Sequence, residues 1–488
     1  MKRILFFSVF ALALQFAFSQ NFQSSLEPSA NQSVVYVASC DWGACIEKIV
    51  LHSAQIIPPN KIKAEDFKVS QILYPKSTNI GMTKGSLCVT DAFASDSLGN
   101  RISSSSDYIT LLTDVHPSAE NSSPFVDITL SDRFYPYYGY KITNSELKIS
   151  ITKTKGFVNS DIAKFSRSKY EYKIPATEEE KANPKYQEET VTLNYASFIP
   201  DGASDTKKVP LILWFHGMGE NGTNPYKVLF GTKASALAGE KIQSYFENGA
   251  AILAPQVSSS WLVTTEKNSV GIRYWAPVDK DSVVKKVTKP LSGLFDKFLV
   301  YDDEPKQEKT PFAATSLYTE AVKKLLFSFL AEHQEIDRTR IYAGGCSAGG
   351  YMVMNMILES PEIFAAAFPV CEFYLDSKIT SSQIKKLTEM PLWFVYAEND
   401  ESVNPQNNSV PTIKRLKEAG AENLHSSVFR NVVDLSGKYL LNRNADKDDE
   451  EYGLPYEYPG HYSWIYVMND ACREDNLTLF EWLSRQQR

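Results

Sequence analysis

Histidine and cysteine are scarce in this chain, with six of each among 488 residues. Cys40, Cys45, Cys88, Cys346, Cys371 and Cys472 form no C-x-x-C pair and no His/Cys cluster with zinc spacing, so no metal and no cofactor is expected. There is no block of Lys or Arg, and Asp plus Glu outnumber Lys plus Arg by 58 to 51. An acidic surface without a basic stripe excludes a nucleic-acid partner. After the first twenty residues no apolar run approaches the ~18 residues of a spanning helix, so no stable membrane insertion is expected.

The leader itself has another explanation. Lys2 and Arg3 precede an apolar run over 4–16 that only Ser8 and Gln15 interrupt. Ala17-Phe18-Ser19 then fits a small-x-small cleavage site. Residues 1–19 are expected to be a signal peptide, which makes the protein secreted or periplasmic; a membrane anchor is the other reading. Export permits disulfides, and six cysteines allow many pairings. Cys40 and Cys45 are spaced to close a small loop. Cys346 and Cys371 read equally as buried thiols.

What is present falls into two patterns. Residues 20–170 show short β-rich runs at 33–37, 46–51, 108–112, 126–130 and 147–152, separated by Ser, Asn, Asp, Gly and Pro. This predicts a small all-β, immunoglobulin-like sandwich. A charged stretch follows, and 171–190 is expected to be a linker. From 191 to 488 apolar strands alternate with helices. Strands are predicted at 191–198, 211–215, 250–254, 340–343, 364–370, 392–396 and 426–429, and helices at 233–248, 319–333, 351–359 and 477–484. Buried strands alternating with helices imply an α/β domain with a mostly parallel sheet covered on both faces. The segment 262–312 reads as a long excursion near the site, and 444–451 as an acidic solvated loop.

Residues 345–349 read Gly-Cys-Ser-Ala-Gly, between the strand 340–343 and the helix 351–359. This is the G-x-S-x-G elbow, which lifts a serine from a sharp strand-to-helix turn at the top of a sheet. Ser347 is the candidate nucleophile. In that arrangement the acid and then the histidine follow the serine in chain order. Only His425 and His461 lie beyond Ser347. His461 stands in a loop, Pro459-Gly460-His461-Tyr462, from which a base can reach over the sheet; His425 enters a strand and reads as an edge residue. The acid should follow the strand 392–396, where Asp400 is the choice and Glu398 and Glu401 the rivals. Two backbone donors should hold the oxyanion. One is the N–H of Ala348. The other is that of Met218, with Gly219 as the alternative, in the glycine-rich loop His216-Gly217-Met218-Gly219-Glu220-Asn221-Gly222. His216 and Glu220 read as hydrogen bonders that fix this loop. Trp261, Tyr274, Trp275 and Trp464 are candidate pocket aromatics, with ordinary core packing the competing reading.

These motifs, with Ala254-Pro255-Gln256 and Gly460-His461-Tyr462-Ser463-Trp464, resemble the α/β-hydrolase serine esterases, in their feruloyl-esterase and polyhydroxyalkanoate-depolymerase-like branch. Some bacterial members carry an amino-terminal immunoglobulin-like domain, and the layout here is similar. The resemblance implies a secreted carboxylic ester hydrolase. Its substrate would be a small-molecule or polysaccharide-linked ester with a feruloyl, acetyl or other short acyl group. This chain has Tyr396-Ala397 before the acid loop where the family usually has His-Gly. Two other functions are carried forward: a peptidase of the prolyl-oligopeptidase type, and a carbohydrate- or partner-binding protein with secondary hydrolase activity. The β-domain has several open roles, including homo-oligomer formation.

Overall fold

The computed structural model describes residues 22–74, 82–124, 137–176, 181–182, 189–263 and 315–488. The expected leader at 1–19, the run at 126–130, Tyr274 and Trp275, and nearly all of the excursion at 262–312 lie outside those residues.

The amino-terminal part is two packed sheets. One has six strands in the order Phe22–Gln23, Thr154–Val158, Gln32–Cys40, Gly43–Ile57, Ser106–Thr113, Val89–Ser95. The other has four, Met82–Leu87, Phe67–Tyr74, Tyr137–Asn144 and Ile149–Ile151. Their inner faces share a core of Val35, Ile49, Leu51, Val69, Ile109, Leu111, Tyr140 and Ile142.

The second sheet is built from β1 (Ser166–Lys173), β2 (Thr190–Phe198), β3 (Val209–Phe215), β4 (Ala251–Gln256), β5 (Ile336–Cys346), β6 (Ala366–Val370), β7 (Leu392–Ala397) and β8 (Leu424–Phe429). The spatial order is β1-β2-β4-β3-β5-β6-β7-β8. All pairs are parallel except β1–β2 and β2–β4. Along β3, Leu211 and Leu213 enter one core while Ile212 and Trp214 enter the other. Side chains alternate across a strand, so a continuous apolar run requires cover on both faces. The helices Thr319–Glu332 and Ala348–Glu359 cover the Leu211 face. Leu479–Ser484 covers the Trp214 face. This is the α/β-hydrolase fold, preceded by an immunoglobulin-like sandwich.

Three expectations need correction. The hydrolase sheet begins at Ser166, inside the span expected for sandwich and linker. Residues 166–173 pair with β2 over eight positions, from Ser166↔Ser197 to Lys173↔Thr190. Their polar composition suits an edge strand and hid them. The helix expected over 233–248 is two short pieces, Ala234–Ala238 and Glu240–Gln243, because Gly239 between them is extended at φ −77°, ψ 150°. Within the span 477–484, Leu477–Thr478 is strand, and the helix starts where the Glu481 amide donates to Thr478 Oγ1. All six cysteines are thiols. Cys40 faces Gly43 and Cys45 faces Ala38 across the hairpin, so the two are diagonal neighbours rather than a cross-strand pair.

That hairpin is one part of the contact between the two units. Asp41 at its turn accepts from Lys233 Nζ at 2.8 Å and from Asn469 Nδ2 at 2.9 Å. Trp42 packs edge-on against Tyr439, with ring centroids 4.8 Å apart. Arg443 reaches back to Asp114 at 2.8 Å. Phe22 lies 4.9 Å from Phe230, so the apolar core runs across the boundary. Replacing Asp41 with Ala removes the carboxylate partner of Lys233 and one of two acceptors of Asn469 Nδ2, leaving Lys233, among the described residues, bonded to Asn469 Oδ1 alone. A cost of about 1–3 kcal/mol is expected, read as a lowered melting temperature of the full chain.

Candidate active site

β5 is buried throughout its last six residues and lies between parallel β3 and β6. It ends at Cys346, and the chain turns at Ser347 into the helix Ala348–Glu359. Ser347 has φ 57° and ψ −119°, a conformation that L-residues rarely adopt. Such strain costs on the order of 1–3 kcal/mol and persists only where the surroundings impose it. Here they do. The Ser347 amide donates to Val370 O at 2.9 Å, and the Tyr351 amide donates to Ser347 O at 2.9 Å. The flanking glycines are required by space. A Cβ on Gly345 would lie 2.7 Å from Gly349 O, and one on Gly349 would lie 2.1 Å from Phe215 O.

The acid comes from the loop after β7. Asp400 Oδ1 accepts the amides of Ser402 at 2.9 Å and Val403 at 2.8 Å. Its Oδ2 is 2.8 Å from His461 Nδ1. His461 lies on the short turn Gly460–Tyr462, and its Nε2 is 2.8 Å from Ser347 Oγ. Ser347, Asp400 and His461 are thus one hydrogen-bonded chain, with exposures of 5 %, 5 % and 4 %. The rivals Glu398 and Glu401 are exposed. His425 is on the edge strand β8, paired with Glu474 and stacked on Trp393. Cys371 adds a thiol within 4.8 Å of ligand atoms of Asp400 and His461. Both ring nitrogens of His461 are already engaged by Asp400 and Ser347, an arrangement suited to proton transfer.

The glycine-rich loop leaves the end of β3. Met218–Glu220 form one turn of 3-10 helix after extended Gly217. A Cβ on Gly217 would be 3.7 Å from Cys346, so the loop lies beside the elbow. His216 is fully buried, its Nδ1 2.7 Å from Gly217 O and its Nε2 accepting the Val257 amide at 3.3 Å. Burial lowers its pKa to about 4, which keeps the ring neutral. Trp261 donates to His216 O at 3.0 Å and is fully buried, so it is a core residue that braces the loop. Trp464 stands edge-on to His461 at 5.7 Å, and its buried Nε1 has no partner. Reasoning from sequence missed Glu372, which is buried beside Cys371 and accepts the Tyr374 amide and the Ser409 hydroxyl. No local pattern marks such a residue.

Residues 34–161 match the family model of the esterase Ig-like N-terminal domain. Residues 325–411 match that of the prolyl oligopeptidase family. No curated protein matches the chain. Among solved structures, a thermostable esterase aligns with a TM-score of 0.58 at 20% identity, covering 94% of this chain and 100% of its own. A ferulic acid esterase aligns with a TM-score of 0.31 at 12% identity, covering 54% of this chain and 90% of its own. An acylaminoacyl peptidase of Pyrococcus horikoshii aligns with a TM-score of 0.34 at 13% identity, covering 61% of this chain and 42% of its own.

Fold, elbow and family matches together define a serine hydrolase. Within that class the chain has the α/β-hydrolase fold, preceded by a domain that matches the esterase Ig-like N-terminal domain.

Proposed function

We propose that this protein hydrolyses carboxylic esters through Ser347, His461 and Asp400 by way of an acyl-enzyme. The observation that carries the proposal is the unbroken chain from Asp400 Oδ2 through His461 to Ser347 Oγ, with 2.8 Å at each link. As Ser347 Oγ bonds the ester carbonyl carbon, its proton passes to His461 Nε2. Asp400 holds the Nδ1–H tautomer and stabilises the imidazolium. The carbonyl oxygen becomes an oxyanion, bound by the amides of Met218 and Ala348. The N-terminus of the helix Ala348–Glu359 adds its partial positive charge there. Collapse breaks the C–O bond, and the alcohol leaves with the proton from His461. Water then gives its proton to His461 and attacks the acyl carbon, releasing the acid and Ser347.

The substrate class follows from the resemblance: feruloyl, acetyl or other short acyl esters, including those on polysaccharide. An exported enzyme would meet such esters. Export predicts a mature chain starting at Gln20, which amino-terminal sequencing of the protein from its native host reads directly.

A peptidase is the second reading, and the prolyl oligopeptidase match over 325–411 favours it. That match covers the elbow and the acid, parts that ester and peptide hydrolases share. Ahead of them stands a two-sheet sandwich. p-Nitrophenyl acetate and a chromogenic prolyl peptide, each with wild type and Ser347→Ala, separate the readings. Ester turnover lost on substitution is expected. Turnover of the peptide alone would select the peptidase.

A further inference from the structure

Glu220 is one residue past the loop's glycine pair and belongs to no step of the reaction above. It is nonetheless 4 % exposed, unusual for a carboxyl group. Its Oε2 accepts the Gly217 amide at 2.7 Å, while its own amide donates to Gly217 O at 3.2 Å. Its backbone carbonyl accepts Gln256 Nε2 at 2.7 Å. Side chain and backbone of Glu220 thus close a ring on Gly217, the residue before Met218. Gly231 leaves the space it occupies: a Cβ there would lie 2.4 Å from Glu220 Oε1. Thr232 lies beside the same carboxyl group.

We propose that Glu220 is a positioning residue for ester hydrolysis: its carboxyl group holds the Gly217 N–H and so fixes the turn from which the Met218 amide points at the reacting carbonyl oxygen. This rests on the reading of Met218 as an oxyanion donor. An amide in a loop is useful to the transition state only if its direction is set beforehand. His216 Nδ1 and the Glu220 amide hold the carbonyl side of Gly217, and the Glu220 carboxyl group is the partner of its N–H, so the turn before Met218 is tied at both ends.

The protonation state of this carboxyl group then enters the rate. Burial raises its pKa to about 8, against the opposing pull of the Gly217 amide, Thr232 and Lys227. The groups facing it are Lys227, whose Nζ donates to Asn221 O, the Cys346 thiol, neutral His216 and uncharged Gln256 and Thr232. Burial holds that thiol protonated. Lys227 is therefore the single cation among them. Below pH 8 Glu220 is mainly neutral; above it a carboxylate stands behind the oxyanion site. A fixed negative charge there opposes the charge that develops on the substrate, so the rate falls as pH rises through about 8. Stability moves the same way. The folded pKa lies above the ordinary 4.5, so the folded state binds the extra proton between those values and loses stability as pH rises through that window.

The test is the pH dependence of kcat for p-nitrophenyl acetate in the full-length protein. Glu220→Gln keeps an acceptor for the Gly217 amide and cannot ionise. It should lose kcat only several-fold at pH 7, with KM little changed, and lack the alkaline decline. Glu220→Ala and Gly231→Ala should each lower kcat by about 10²-fold, the scale of a lost oxyanion donor, with KM within two- to three-fold. An alkaline limb in Glu220→Gln identical to that of wild type would overturn the proposal, and this variant decides even if Glu220→Ala does not fold. Ser347→Ala run alongside keeps the two readings apart: if it retains turnover, the active-site assignment fails whatever Glu220 does.

Discussion

Ser347→Ala lowers kcat for ester hydrolysis by about 10⁶-fold, or about 8 kcal/mol of barrier. Alanine has no atom that can bond the acyl carbon, so the two-step route closes. The substitution leaves the fold in place. The side chain is small, and the turn is held by the backbone bonds of Ser347 with Val370 and Tyr351. The same unusual φ of 57° is available to alanine at the cost that serine already carries. Circular dichroism and melting temperature should therefore match wild type while stopped-flow or steady-state assays show no turnover. A loss of only ten-fold would mean that another nucleophile acts.

Asp400→Asn lowers kcat by about 10⁴-fold, with KM nearly unchanged. The side chain keeps its shape, and its oxygen can still accept from the amides of Ser402 and Val403. The amide nitrogen then faces His461 Nδ1, now 2.8 Å from Oδ2, and favours the ring with its proton on Nε2. That tautomer cannot take the proton of Ser347. The uncompensated imidazolium is also less stable in a site where Asp400 is 5 % exposed. Steady-state kinetics of the pure variant check both parts. A fall in kcat/KM carried by KM alone would show that Asp400 acts on substrate binding instead.

The residues of this site were legible because each sits in a pattern with a local backbone meaning. Gly345 and Gly349 flank a turn that nothing larger could make, and His216–Gly222 closes an apolar strand with a glycine-rich loop. Chain order then reduced six histidines to two, and the loop context chose His461. The sheet was legible from the apolar runs of β3, β5 and β7. What escaped depends on distant partners. β1 reads as a charged surface segment until β2 is laid beside it. Asp41 meets Asn469 across a sequence separation of 428 residues, which no local pattern records. The break at Gly239 shows a helical composition overruled by one extended residue. Glu220 was visible as a loop hydrogen bonder, but its burial and the space left by Gly231 are three-dimensional facts.

The most direct test of the mechanism is covalent labelling with a fluorophosphonate, followed by peptide mapping. Attack on phosphorus needs the same activated hydroxyl as attack on an ester. One phosphonyl group on Ser347, formed in step with loss of activity and absent in His461→Ala, is the predicted result. Inactivation with the label on any other residue would contradict the account.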